Sequence, residues 1–163
     1  MEVFMRLYIK QRIFSWNDKF VVKDEFNNDK YYGESELFAF GHKLHIYNKS
    51  KIEVAYIKER LFSFTPRFQI NVMGIEVGEL VKKITFFKPS YYIQNSNLTL
   101  EGNILEHNYR LLDGKKVLMK VSKGWFTFGD SYVLDISNPE DELLCLSIVL
   151  ALDCESCSNE NNN

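Results

Sequence analysis

Short apolar runs separated by turn residues fill the chain as far as Ser137, and one aromatic phrase recurs among them. It reads Ile13-Phe14-Ser15-Trp16, Leu37-Phe38-Ala39-Phe40, Leu61-Phe62-Ser63-Phe64, Ile84-Thr85-Phe86-Phe87 and Trp125-Phe126-Thr127-Phe128. Three polar or turn-prone residues follow each copy, and an apolar residue then restarts the chain at Phe20, Leu44, Phe68, Tyr91 and Tyr132. The copies start at residues 13, 37, 61, 84 and 125, so the last gap is nearly double the others, and a worn copy around Leu105-Glu106-His107-Asn108-Tyr109 fills it. A strand, a tight turn and a return strand take about this length, which predicts one β-hairpin per copy. Between copies lie the opposite turns: Asn27-Asn28-Asp29, Asn48-Lys49-Ser50, Met73-Gly74, Asn95-Ser96-Asn97 and Asp113-Gly114. Six hairpins make about twelve strands, and links this short force neighbours to run antiparallel. So many strands escape exposed edges by closing into a barrel, whose lumen is too wide for strand side chains alone to fill.

The pattern changes at Asn138. Asn138 can cap a helix, Pro139 suits its first position, and Glu140, Asp141 and Glu142 place negative charge at the positive end of the dipole. Across residues 143–152 only Ser147 is polar. A helix with no polar stripe is buried on all sides. Ten residues span only ~15 Å, half the hydrocarbon thickness of a bilayer, so this is a core helix and not a membrane span. The predicted protein is therefore all-β: a closed antiparallel barrel of about twelve strands around a helix at about 138–153. Residues 1–153 form one domain, followed by a flexible polar tail over 154–163. A β-sandwich clamping the helix between two sheets is the alternative.

Composition adds little to function. With 163 residues, 45% of them hydrophobic and 15% aromatic, the chain can bury a substantial core. Its net charge of −2 excludes a strongly basic nucleic-acid binder. Three cysteines, Cys145, Cys154 and Cys157, make no disulfide framework and suit a reducing compartment. No stretch has the length of a spanning helix or the form of a signal peptide, which leads us to expect a cytoplasmic protein, peripheral to a membrane if it meets one.

Several phrases resemble a known family. Tyr8-Ile9-Lys10-Gln11-Arg12-Ile13-Phe14-Ser15, Asp18-Lys19-Phe20, Val54-Ala55-Tyr56-Ile57-Lys58, Phe86-Phe87-Lys88-Pro89 and Asn138-Pro139-Glu140-Asp141-Glu142-Leu143-Leu144 are similar, in order, to bacterial members of the LURP-one-related family. The resemblance covers about residues 4–153. It implies a Tubby C-terminal-like fold, a twelve-stranded barrel threaded by a hydrophobic helix. The wider superfamily includes phosphoinositide-binding Tubby domains and phospholipid scramblases. The family supplies no catalytic residue to carry over, and the acidic calcium segment of scramblases has no counterpart here: Asp130 and Asp135 lack the loop of ligands calcium needs.

Candidate chemistry is sparse. His42 and His45 lie on opposite faces of one strand start, His107 stands in a turn, and none has the company of a metal site, so all three read as surface or turn residues. Cys154-Glu155-Ser156-Cys157 has redox or zinc spacing but stands alone after a helix end, and reads as a pair of solvated thiols. We expect no metal and no cofactor, and no nucleophile elbow or phosphate loop appears. Basic residues crowd four of the five phrases: Lys10 and Arg12, Lys58 and Arg60, Lys82 and Lys83, Lys120 and Lys123. Equivalent hairpins place these charges near one end of the barrel, where they suit an anionic head group or membrane surface. Outward polar faces and guarded edges account for them without any ligand. The expected function is a non-enzymatic module that binds anionic lipid or phosphoinositide-like head groups through that basic end. A protein-interaction scaffold and an enzyme with a site in the barrel mouth are the alternatives.

Overall fold

The computed structural model describes residues 2, 4–10, 19–38, 41–126 and 129–160, with the backbone alone at 10, 37–38, 125–126, 129–130 and 157–160. Its strands are β1 (Met5–Lys10), β2 (Lys19–Asp24), β3 (Asp29–Phe38), β4 (Gly41–Asn48), β5 (Glu53–Glu59), β6 (Arg67–Val72), β7 (Ile75–Lys83), β8 (Ser90–Gln94), β9 (Leu98–Asn103), β10 (Asn108–Asp113), β11 (Lys116–Phe126) and β12 (Gly129–Ile136). Neighbours in sequence pair antiparallel from β1 to β8 and from β9 to β12. The pairing of β1 with β12, Met5 opposite Ile136 to Lys10 opposite Ser131, makes them one sheet. Its outermost strands are β8 and β9, joined through residues 95–97, and no ladder links them among the described residues. The predicted barrel is present, nearly closed, with one seam.

Alternation along each strand sends apolar side chains inward. Leu44 and Ile46 of β4, Ile57 of β5, Phe68 and Ile70 of β6, and Leu80 of β7 are buried in one continuous core. Gly33 of β3 faces Phe20 of β2, whose ring lies so close that a Cβ at Gly33 would sit 2.0 Å from it. The five opposite turns fall where the pattern places them, with left-handed backbone at Asn27, Lys51, Met73, Gly74, Asn95 and Gly114.

The helix fills the lumen. Asn138 accepts a hydrogen bond from the Glu140 amide at 3.2 Å and opens a 3-10 turn (Pro139–Asp141) leading into α1 (Glu142–Glu160). Cys145, Leu146, Ile148, Val149, Leu150 and Ala151 are all fully buried, and α1 packs on β5, β6, β7 and β12. Ser147, equally buried, satisfies its hydroxyl by donating to the Leu143 carbonyl at 2.6 Å. The helix runs seven residues past Asp153, where the sequence led us to end it. No glycine or proline follows Asp153 to stop it, and the Ser156 hydroxyl bonds back to the Leu152 carbonyl. Cys154 is accordingly buried and not the solvated thiol expected; the Cys157 side chain lies outside the described residues.

Antiparallel order places every link from an odd to an even strand at one end of the barrel. The recurring phrases, as far as they are described, sit at that end, which we call the aromatic end. The helix enters from the opposite end and brings Asp153 and Glu155 up to it.

Candidate functional site

The aromatic end is built from links that are ordered in themselves and leave their apolar side chains outside. In the β5–β6 link, residues 60–66, the Arg60 amide donates to the Arg67 carbonyl at 2.9 Å and the Ser63 hydroxyl donates to Thr65 at 2.7 Å. In the β7–β8 link, residues 84–89, the Thr85 hydroxyl bonds to the Lys88 carbonyl at 2.5 Å. The first link is tied to the end of β7, just before the second, where the Lys82 amide donates to the Pro66 carbonyl. Phe62, Phe64, Ile84, Phe86 and Phe87 are each more than 80% exposed, and Leu105 of the β9–β10 link joins them at 62%. A monomer gains nothing from such a cluster in water, because burying one phenylalanine is worth about 1.5–3 kcal/mol. The phrases at 61–64 and 84–87 are thus links and not the strand ends the hairpin pattern suggested. The strands before them stop at Glu59 and Lys83, and Pro66 and Pro89 delay their restart. At 37–38 and 125–126 the phrases do end strands, as expected; residues 13–16 lie outside the described residues.

Beneath the links lies a groove of about 720 Å³. Its walls are Ile84, Phe86, Phe87 and Leu105, and Lys83 and Lys88 stand at its rim. Glu155 closes the floor, 1% exposed, held by Lys82 Nζ at 2.8 Å and by the Tyr91 hydroxyl. Burial, and then the bond to Glu155, hold the Tyr91 phenol protonated well above its ordinary range. Asp153, on the same helix end, is held in the same way. The Tyr132 hydroxyl donates to it, His107 Nε2 lies at 3.5 Å, and the His107 ring stacks on Tyr132 at 4.2 Å. Burial and Asp153 push Tyr132 far up, and the same causes act on the fully enclosed Tyr109. Two helix carboxylates are therefore each clasped by a tyrosine from the wall and a basic side chain, Lys82 of β7 or His107 of the β9–β10 link.

The other histidines also face carboxylates. His42 Nδ1 is 2.6 Å from Glu59 and its hydrogen bond holds that carboxyl below its usual range; His45 Nδ1 is 2.7 Å from Glu53. Among the described residues, no group of three histidine, cysteine or acidic side chains is placed to hold a metal ion.

Comparison with known proteins agrees with this architecture. The profile of the LURP-one-related family matches residues 5–153. The chain belongs to that family. It is 34% identical over 159 residues, 98% of each chain, to a Bacillus subtilis (strain 168) protein called Uncharacterized protein YxjI. A solved X-ray structure of an Arabidopsis thaliana protein superposes with a TM-score of 0.62 at 14% identity, covering 91% of this chain and 90% of that one, which shows a shared fold.

In this LURP-one-related barrel, six of the eight basic residues singled out by sequence are described with their side chains, and these six do not share one surface. Arg12 and the Lys10 side chain lie outside the described residues. Lys58 is exposed on the outer wall opposite Lys43, and Arg60 is engaged with the buried Glu79 at 3.2 Å, as is Arg67 at 3.3 Å. Lys82 and Lys83, adjacent in a strand, face opposite ways. Lys82 turns in to Glu155, while Lys83 stands outside over the Tyr92 ring at 5.6 Å. Lys120 sits lower on the wall, opposite both Arg110 and Asp135, and Lys123 is exposed opposite Tyr132. Sequence reasoning passed over Glu155 and Asp153. The signal for the two carboxylates was the absence of any helix stop after Asp153.

Proposed function

We propose that this protein is a peripheral membrane-binding module that docks its aromatic end on anionic lipid. The observation that carries this reading is the grouping of five strongly exposed apolar side chains, Phe62, Phe64, Ile84, Phe86 and Phe87, on two adjacent self-ordered links, with Lys83 and Lys88 at the root of the second. Apolar tips flanked by lysine match the interface of a bilayer, where rings enter the acyl boundary and ammonium groups meet phosphates. Each lysine near such a surface contributes about 1 kcal/mol, and that part weakens with salt. No helix among the described residues is long and apolar enough to cross a membrane. The test is flotation with vesicles of phosphatidylglycerol and phosphatidylcholine against phosphatidylcholine alone. We expect recovery only with the anionic vesicles, and about a 30-fold loss in the double variant Phe86→Ser, Phe87→Ser, taking roughly 1 kcal/mol for each partly inserted ring. Equal recovery by that variant would overturn the reading.

A further inference from the structure

We infer that the groove beneath the β7–β8 link holds one phosphomonoester lipid of the phosphatidic acid class, its phosphate at the rim where Lys83 and Lys88 stand. This rests on the membrane-docking reading, which supplies the bilayer as the source of the lipid. Four observations lead there. The groove's volume, about 720 Å³, is that of a small-molecule site and takes a head group, its glycerol and the first chain segments. Ile84, Phe86, Phe87 and Leu105 line it and are themselves exposed tips, so a chain leaving the groove passes directly to the region placed in the bilayer.

The third observation is charge. Lys82 is bound to Glu155, and the pair cancels. The surplus is two cations, Lys83 and Lys88, neither in an ion pair among the described residues. Lys83 is opposite Ser90 in the ladder and Lys88 lies two residues before Ser90, so both stand at the root of one link. Two positive charges match a phosphomonoester, which carries about −1.5 to −2 at neutral pH, better than a singly charged diester. The fourth is the floor. Glu155 is buried and already accepts from Lys82 and Tyr91, which leaves no carboxylate open to the ammonium of a zwitterionic head group.

The test is calorimetric titration of the whole protein with dihexanoyl phosphatidic acid, a short-chain lipid used below its micelle concentration, beside dihexanoyl phosphatidylcholine and inorganic phosphate. We expect saturable one-to-one binding of the phosphatidic acid, at least tenfold tighter than either comparison ligand. Lys83→Gln and Lys88→Gln should each weaken it about tenfold without lowering the melting temperature, since both side chains lie at the rim. Affinity should also fall as the pH drops through the second phosphate ionisation near pH ~6. Absence of saturable binding, equal binding of phosphatidylcholine, equal binding of inorganic phosphate, or unchanged affinity in both lysine variants would each overturn the inference. Vesicle flotation separates it from the broader reading: vesicle recruitment without binding of the soluble lipid overturns the groove alone, and soluble binding without recruitment overturns the docking while upholding the groove.

Discussion

Glu155 shows what one side chain does in this barrel. It is a carboxylate in the interior, and it remains there because Lys82 and Tyr91 both reach it. Removing one partner of such a pair leaves an uncompensated charge, which costs about 3–5 kcal/mol in buried pairs; with Lys82 a quarter exposed the lower value applies. Lys82→Met should therefore lower the melting temperature by ~6–12 °C, and the double variant Lys82→Met, Glu155→Gln should recover most of the loss in a calorimetric scan. A melting temperature in Lys82→Met equal to the parent's would show that the pair is dispensable. The clasp was hidden in the sequence because Lys82 and Glu155 lie 73 residues apart and Lys82 looks like one more basic residue beside an aromatic phrase. The buried phenols give a second outcome. Tyr91, Tyr109 and Tyr132 have folded pKa values raised above the ordinary 10, chiefly by burial. The unfolded chain thus loses protons first, and their contribution to stability is complete below about pH 10 and declines above it. Alkaline titration should show tyrosinate absorbance from these residues appearing together with loss of tertiary structure. Smooth ionisation of all tyrosines near pH 10 with the fold intact would contradict their burial.

At the scale of elements, the helix was the most legible part. Its cap, its proline and its unbroken apolar run each bear on the next ten residues, and local rules suffice there. Leu146→Asp or Ile148→Asp should abolish soluble expression, because a charge at either site has no partner inside the barrel. The end of the helix was less legible, since polar residues after Asp153 resemble a tail until the wall supplies Lys82 and Tyr91 to receive them. Ending the chain at Asp153 should accordingly cost several degrees in melting temperature, while ending it at Ser156 should cost little; equal melting of both truncations would mean that Glu155 does not anchor the helix. The strands were legible from period and turns, yet the phrases at 61–64 and 84–87 misled. Their aromatic content favours strand by propensity, and only exposure in the folded protein reveals them as tips.

For the molecule as a whole, the two ends differ in kind. The opposite end is made of tight turns and receives the start of the helix, whereas the aromatic end carries the long β5–β6 and β7–β8 links, their exposed phenylalanines and the groove. The placement of all odd-to-even links at one end followed from the hairpin repeat; the division of the basic residues between wall, interior and rim did not, because it depends on which face each strand position takes. The account's central claim is that this end meets the membrane. Its most direct test compares Phe86→Trp with Phe26→Trp, an exposed site in the β2–β3 turn at the opposite end, in phosphatidylglycerol vesicles whose acyl chains carry bromine quenchers. The fluorescence each variant adds to the parent should be strongly quenched for Phe86→Trp and untouched for Phe26→Trp. Quenching of both alike, or of Phe26→Trp alone, would contradict docking through the aromatic end.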